Sequence, residues 1–150
     1  MIRLLDVNIL LALAWPQHMH HDAAHAWFAH TKHEGWATCP ITQAGFARIS
    51  SQPAVTKTVV AVHEAIAILA ASTAMKEHHF WPHTSPVTDL SPELLPRVMG
   101  HQQLTDAILL DLAIRQGGAL ATFDKRIEYL LPPNSPSRRF IEVLPVPDGK

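Results

Sequence analysis

Short strand-like and longer helix-like segments alternate along this chain, and that alternation limits the possible folds more than any other feature. Apolar runs at 2–5, 36–39, 79–81, 119–123 and 140–144 are typical of strands. Strands separated by helices usually pair in parallel, because the chain crosses back over the sheet before the next strand begins. The pattern predicts an α/β fold, a three-layer sandwich in which a mostly parallel sheet of about five strands lies between helices.

Between the strands, the spacing of apolar side chains predicts helices at 8–14, 20–33, 58–75, 105–116 and 125–130, and a further helix that Thr42 would cap. The segment 58–75 is alanine-rich and apolar over much of its circumference, so we expect it to be well buried. The segment 84–96 contains three prolines and is typical of a loop with one helical turn. We expect a single domain at 1–144 and a short tail at 145–150.

The charge composition argues against a protein that coats nucleic acid without selectivity. The chain has 12 basic and 13 acidic residues, whereas such proteins are strongly basic. A selective nuclease with a local basic rim is still compatible with these numbers.

The single cysteine, Cys39, excludes an internal disulfide and fits a reducing cytoplasm. Apolar runs such as Ile9–Trp15 are too short to span a bilayer, so we expect a cytoplasmic protein without a membrane partner.

Three aspartates, which we call the aspartate trio, stand where a strand or loop gives way to a helix. Asp6 closes the first apolar run, Asp124 closes the run 119–123, and Asp106 follows Leu104-Thr105. The carboxyl ends of parallel strands form the ligand crevice of an open α/β sheet. Carboxylates that converge there suit a hard cation such as Mg²⁺ or Mn²⁺, which predicts metal-dependent chemistry on a phosphate ester. The alternative is that each aspartate only caps a helix or a turn.

Asp111 does not belong to this set, although it lies on the same helix as Asp106. Five residues along a helix correspond to a rotation of about 140°, so the two carboxylates should point in different directions.

The residues around the aspartates resemble the motifs of PIN-domain nucleases. Asp6-Val7-Asn8 resembles the opening motif, Thr105-Asp106-Ala107 the central motif and Thr122-Phe123-Asp124 the last motif. The stretch 40–48 resembles the segment that carries the second acid of the family. In order and spacing, the motifs are similar to those of the VapC toxins of bacterial toxin–antitoxin pairs.

The resemblance implies an endoribonuclease that depends on Mg²⁺ or Mn²⁺ and cuts selected structured RNA, such as tRNA or rRNA. It also implies a homodimer held inactive by a cognate VapB-type antitoxin. Within that family pattern Asp6, Asp106 and Asp124 are metal ligands, directly or through water. Asn8 and Thr122 would orient carboxylates or water.

Gln43 departs from the family pattern, which has glutamate at this position. An amide oxygen accepts a hydrogen bond from a bound water but supplies no charge, so metal affinity should be weaker. We assign Gln43 to the orientation of that water. The alternative is a catalytically weakened or inactive site, in a domain that acts as a binding module for RNA or a partner.

Several other residues have more than one open interpretation. Arg48 would contact RNA phosphate or pair with an acid, and His101 would contact phosphate or transfer a proton, or would be a loop histidine with no catalytic role. The pairs 125–126 and 138–139 would form a basic rim or an ordinary solvated surface. His21 and His25 have a chelating spacing but no third ligand in sequence. A phospho-receiver or a haloacid-dehalogenase phosphatase is disfavoured, because residues 6–8 read Asp-x-Asn and no matching lysine follows.

Overall fold

The computed structural model describes residues 1–147, so positions 148–150 of the predicted tail lie outside the described residues. Five parallel strands form one sheet in the order β3-β2-β1-β4-β5. The strands are β1 (Arg3–Leu5), β2 (Trp36–Thr38), β3 (His78–Phe80), β4 (Ala119–Thr122) and β5 (Ile141–Val143). The predicted fold class is confirmed.

Six α-helices accompany the sheet: α1 (Val7–Ala14), α2 (His21–Thr31), α3 (Pro40–Ser50), α4 (Pro53–Thr56), α5 (Val62–Thr73) and α6 (His101–Arg115). Five 3₁₀ turns complete the described part of the chain, at Lys32–Glu34, Val87–Asp89, Leu95–Arg97, Lys125–Leu130 and Pro136–Phe140. Within residues 1–147, no helix is long and apolar enough to cross a membrane.

The sheet has a separate apolar core on each of its faces. On one face, Leu4 and Leu120 pack against Leu109 and Leu110 of α6. On the other face, Leu5 packs with Ile9 of α1 and Phe46 of α3. The central strands β1, β2 and β4 are therefore mostly apolar, as expected for parallel strands covered by helices on both sides, and each contains one polar residue: Arg3, Thr38 or Thr122.

Two helix predictions are wrong. The long helix expected at 58–75 begins only at Val62, and it buries just Ala65 and Leu69 because it packs on α3 along one face. Val59 is 89% exposed and Ile66 52% exposed. An alanine-rich sequence indicates helix, but it does not show how much of the circumference finds a neighbour.

The expected cap at Thr42 is also wrong. Cys39 is the N-cap of α3, and Pro40 takes the first helical position, where its missing N–H costs no hydrogen bond. Thr42 lies inside the first turn, and its Oγ1 accepts from the backbone N–H of Cys39 at 3.0 Å. The hydroxyl therefore reaches back from within the helix.

Candidate active site

The strand register brings the first and last motifs together at the carboxyl edge of the sheet. Leu5 pairs with Ala121, and the backbone N–H of Asp6 donates to the Ala121 carbonyl at 3.0 Å. Thr122 ends β4 directly beside Asp6, and Asp124 follows two residues later. Neighbouring parallel strands thus place Asp6 and Asp124 in one crevice.

Both carboxylate oxygens of Asp6 are held by hydrogen bonds. Oδ1 accepts from the Val7 backbone N–H at 2.8 Å, and Oδ2 accepts from the Thr122 hydroxyl at 2.7 Å. Burial raises the pKa of Asp6 and the charge of Asp124 raises it further, while the bonds from Thr122 and Val7 act in the opposite direction. The carboxylate is therefore fixed in orientation and is costly to leave charged without a cation.

Asn8 and Thr122 connect the start of α1 to the end of β4. The Asn8 side-chain amide donates to Thr122 Oγ1 at 3.1 Å, and its oxygen accepts from the Phe123 backbone at 3.4 Å. Thr122 Oγ1 also accepts from the Asp124 backbone N–H at 3.1 Å. These two polar residues therefore hold Asp6 and Asp124 at a fixed relative position.

Asp106 reaches the same space from α6, on the face of the sheet that this helix covers. Burial raises the pKa of Asp106 to about 6, with the charges of Asp6 and Asp124 adding to the effect and Arg126 opposing it. Because both other carboxylates act on Asp106, the aspartate trio forms one repulsive electrostatic unit. Asp106 lies in the second turn of α6, so it is not the helix-opening acid that the sequence indicated.

Arg126 clamps the third carboxylate. Its Nε lies 3.0 and 3.1 Å from the two oxygens of Asp124, and Nη2 lies 2.8 Å from Oδ2. This pairing lowers the pKa of Asp124. The Arg126 side chain is 79% exposed, so the clamp is a surface ion pair that a competing ligand can open.

The trio has the right donors for a divalent cation but is not a closed cage. Within residues 1–147, no three or more His, Cys, Asp or Glu side chains are grouped tightly enough to hold a metal ion. Carboxylate oxygens are nevertheless the ligands that Mg²⁺ and Mn²⁺ prefer, and the mutual repulsion seen at Asp106 is what a bound cation relieves. The chemistry of the three donors therefore fits such an ion, although the side chains are not already grouped around one position and Arg126 occupies the oxygens of Asp124.

Gln43 lies in the first turn of α3, which begins at the same edge of the sheet. Its Nε2 donates to Thr38 Oγ1 at 3.0 Å. A Cβ atom at Gly45 would lie 2.7 Å from Cγ2 of Val7, so α3 packs in direct contact with the residue that follows Asp6. This close approach places α3 against the start of α1, at the same edge of the sheet as Asp6.

His101 opens α6 and lines a cleft of about 370 Å³, so it is not a loop residue as one interpretation held. Asp106 and Arg126 lie on the wall of that cleft, together with Gln102, Gln103 and Met99.

Arg48 is exposed, five residues beyond Gln43 on α3, and it forms no ion pair with residues 1–147. The structure thus places His101 in the same cleft as Asp106, and Arg48 about 140° around its helix from Gln43.

Two of the competing candidates have structural explanations. Asp111 points away from Asp106, as expected, and accepts from Arg115 Nε at 2.7 Å. His21 and His25 each use a ring nitrogen on a carbonyl of α1, those of Ala12 and Leu13. These two histidines therefore attach α2 to α1.

Sequence reasoning missed the contacts made by Arg126 and Thr38. The sequence pattern places Arg126 only in a basic rim. An arginine two residues after a helix-capping aspartate can nevertheless reach that carboxylate with its guanidinium, as Arg126 does here. Thr38 gave no signal by itself, because a threonine that ends a strand is common.

The family follows from comparison with known proteins. The model of the PIN domain family matches residues 3–130, so the chain belongs to the PIN-domain family. Ribonuclease VapC39 of Mycobacterium tuberculosis is 44% identical over 144 residues, which is 96% of this chain and 100% of the relative. Ribonuclease VapC38 of the same organism is 43% identical over 121 residues, which is 81% and 84% of the two chains.

These relatives place the chain among the VapC-type PIN domains, as its motifs indicated. A further relative, Ribonuclease VapC44 of M. tuberculosis, is 40% identical over 88% of this chain and 92% of its own length. The fold is also that of a chain in the crystal structure of VapBC2 from Rickettsia felis bound to a DNA fragment from its promoter. The TM-score is 0.64, with 16% identity over 97% of this chain and 100% of that one.

Proposed function

We propose that this protein is a Mg²⁺- or Mn²⁺-dependent endoribonuclease toxin that cuts a selected structured RNA, tRNA or rRNA. The observation that carries the proposal is the convergence of the aspartate trio at the carboxyl edge of the sheet, where Thr122 donates to Asp6 and accepts from the Asp124 backbone. The pKa of Asp106, which burial and the other two carboxylates raise to about 6, supports it. A partly buried cluster of acids at the ligand crevice of an α/β sheet favours metal-dependent phosphodiester chemistry. The similarity to VapC ribonucleases supports RNA as the substrate.

Each residue then has a defined task. Asp6, Asp106 and Asp124 hold the ion, which when bound supplies an activated water and stabilises charge on the phosphate. Thr122 and Asn8 keep the Asp6 carboxylate in place through the hydrogen bonds described above. These two contacts fix the carboxylate before substrate arrives, which limits the reorganisation needed during reaction.

The remaining polar residues contact the attacking water or the RNA backbone in this proposal. The Gln43 amide oxygen accepts a hydrogen bond from the attacking water and so orients it. His101 and Arg126 line the cleft beside Asp106, and we assign them to the RNA backbone, with Arg48 further along α3. Arginine suits this task because its guanidinium pairs with two phosphate oxygens at once.

A VapB-type antitoxin would inhibit the enzyme by placing a basic side chain among the carboxylates. The Arg126 clamp supports this, because it demonstrates that a guanidinium fits both oxygens of Asp124. We also propose that the protein is cytoplasmic, because the RNA substrates are cytoplasmic. We propose a homodimer because apolar side chains are exposed just before α5, at Val59, and on α5, at Ile66. Light scattering on the purified chain measures its mass in solution directly.

The experiment is cleavage of end-labelled total tRNA and rRNA fragments by antitoxin-free protein. Discrete products with Mn²⁺ or Mg²⁺, none with EDTA and none from Asp6→Asn, are expected, and they also identify the RNA. Asp111→Asn is the matched control, since it removes a charge from α6 away from the cleft. Equal cleavage by wild type and Asp6→Asn would contradict the proposal.

Gln43 supports a second candidate, a PIN domain that binds RNA or a partner without cutting. Comparison of wild type with Gln43→Glu separates the two candidates. Products from the wild type, with at most a moderate gain in Gln43→Glu, support the nuclease. Intact RNA with both proteins, each folded and free of antitoxin, supports the binding module.

A further inference from the structure

Gln43, Thr38 and His78 form a chain of hydrogen bonds that runs from the candidate active site to the edge of the sheet. Gln43 Nε2 lies 3.0 Å from Thr38 Oγ1, and Thr38 Oγ1 lies 2.7 Å from His78 Nε2. Thr38 is fully buried at the end of β2. His78 pairs with Trp36 on the neighbouring strand, so its side chain and that of Thr38, two residues further on, share one face of the sheet.

If the Thr38 proton is used within this chain, the protons can be arranged in two ways. A threonine hydroxyl has one proton to donate, and a neutral imidazole has one donor nitrogen and one acceptor nitrogen. If Gln43 donates its N–H to Thr38, the Thr38 proton is free to go to Nε2 of His78, which must then be the unprotonated nitrogen. If the Gln43 amide is reversed, Thr38 donates to the amide oxygen, and His78 must donate from Nε2.

The surroundings of His78 permit the first arrangement, in which Nε2 carries no proton. Burial lowers the pKa of His78 and the nearby charge of His79 lowers it further, while a hydrogen bond to the Thr73 backbone acts in the opposite direction. The ring is therefore neutral near pH 7, and one of its two nitrogens is an acceptor. Nε2 is the nitrogen that lies 2.7 Å from Thr38 Oγ1, and Gln43 Nε2 lies 3.0 Å from the same oxygen, so the Nδ1–H tautomer lets Nε2 accept the Thr38 proton.

We propose that Thr38 and His78 are positioning residues, which fix the Gln43 amide with its oxygen directed towards the aspartates and its N–H₂ directed away from them. This inference rests on the proposed function, since it concerns how that site orients its water. Only the oxygen end of the amide accepts from water. A reversed amide would instead present N–H donors to the cation that the trio attracts.

The hydrogen bonds that link Gln43, Thr38 and His78, which we call the relay, also explain how the protein accommodates glutamine at a position where the family has glutamate. The two oxygens of a glutamate are equivalent acceptors, so glutamate needs no fixed orientation, whereas the two ends of glutamine differ. With glutamate at 43, Thr38 would have to donate to the carboxylate, and His78 would have to donate from Nε2. The residue at 43 and the tautomer of His78 are therefore coupled.

The test is the tautomer of His78, read from long-range ¹H–¹⁵N correlation spectra of ¹⁵N-histidine-labelled protein without RNA or metal. The His78 signals are assigned by their loss in His78→Phe, which retains an aromatic ring on Trp36, or by contacts to the Trp36 indole. We expect the Nδ1–H tautomer in the wild type and in Thr38→Ser, and a ring that donates from Nε2 in Gln43→Glu. An Nε2–H tautomer in the wild type, or no change in Gln43→Glu, overturns the relay.

A cleavage assay then measures what the relay contributes. Thr38→Val keeps the volume but removes the hydroxyl, and we expect about a tenfold loss of kcat with KM little changed. Thr38→Ser should remain within about twofold of wild type, and Thr38→Val should cost little in the Gln43→Glu background. Equal losses in both backgrounds would reduce Thr38 to a packing residue and overturn the inference. Because the spectra need no activity, a protein that cuts no RNA refutes the proposed function while the tautomer still decides the relay.

Discussion

Replacement of Asp106 by asparagine should stabilise the metal-free protein at neutral pH while it abolishes cleavage. In the fold, burial and two neighbouring carboxylates raise the pKa of Asp106 from 3.8 to about 6. The folded pKa therefore lies above the unfolded one, so the protonated form is favoured by folding. Its contribution to stability is fully present below pH 3.8 and is lost as the pH rises through about 6.

The size of the effect follows from the two pKa values. A rise from 3.8 to about 6 corresponds to at most about 3 kcal/mol of lost stability above pH 7. Asp106 is only partly buried, and solvent screening reduces the expectation to about 1–2 kcal/mol. For a chain of this size, that corresponds to a rise of about 2–8 °C in Tm for Asp106→Asn.

The assay is thermal unfolding of both proteins in EDTA at pH 7.5 and at pH 4. Asp106→Asn should be the more stable protein at pH 7.5, and the difference should vanish at pH 4, where Asp106 itself is largely protonated. Mn²⁺ at pH 7.5 should raise the Tm of the wild type but not that of the variant. A variant that is equally stable or less stable at pH 7.5 would refute the electrostatic reasoning.

Three further changes test other parts of the structure. Gly45→Ala should cost about 1–3 kcal/mol of stability and lower kcat, because its Cβ would lie 2.7 Å from Val7 and push α3 away from the site. Arg126→Gln should tighten Mn²⁺ binding in the absence of RNA about two- to fivefold, as measured by electron paramagnetic resonance, because Asp124 loses its competing cation. Asp111→Asn should cost about 1–2 kcal/mol in urea unfolding yet leave cleavage unchanged, because its bond to Arg115 is remote from the cleft.

Two of these changes have a control. Gly117→Ala tests a glycine at positive φ with open space around it, so it should lower stability without a selective loss of kcat. Lys125→Gln removes the same charge as Arg126→Gln from an exposed neighbour, and it should change Mn²⁺ affinity much less. Equal effects of Arg126→Gln and Lys125→Gln would show that net charge, and not the Arg126 contact with Asp124, sets the Mn²⁺ affinity. A cleavage defect in Asp111→Asn would contradict the separation of Asp111 from the site.

The positions of the strands along the chain and the edge that carries Asp6 and Asp124 were predictable, because both follow from local patterns. Apolar runs identify strands, and parallel pairing puts their carboxyl ends at one edge. That β1 and β4 are neighbours, which brings Asp6 beside Thr122, followed only from the structure. The start of α6 was missed because its N-cap, Gly100, makes no side-chain cap that a sequence pattern could reveal. The helical position of His101 and the second-turn position of Asp106 followed only from the structure.

The relay to His78 was not predictable because it depends on register. Thr38 and His78 are 40 residues apart, and they meet only because β2 and β3 pair with Trp36 opposite His78. A slip of one residue would put the two side chains on opposite faces of the sheet. The solvent exposure of α5 was not predictable either, because its sequence does not specify how many other elements pack around it.

The most direct test of the metal-dependent site is to measure Mn²⁺ binding and RNA cleavage on the same preparations of wild type, Asp6→Asn and Asp111→Asn. We predict that the Mn²⁺ concentration for half-maximal cleavage matches the measured dissociation constant in the wild type and in Asp111→Asn. Asp6→Asn should lose tight Mn²⁺ binding and cleavage together while remaining folded. Undiminished cleavage by Asp6→Asn, or by wild type in EDTA, would contradict the assignment of the aspartate trio.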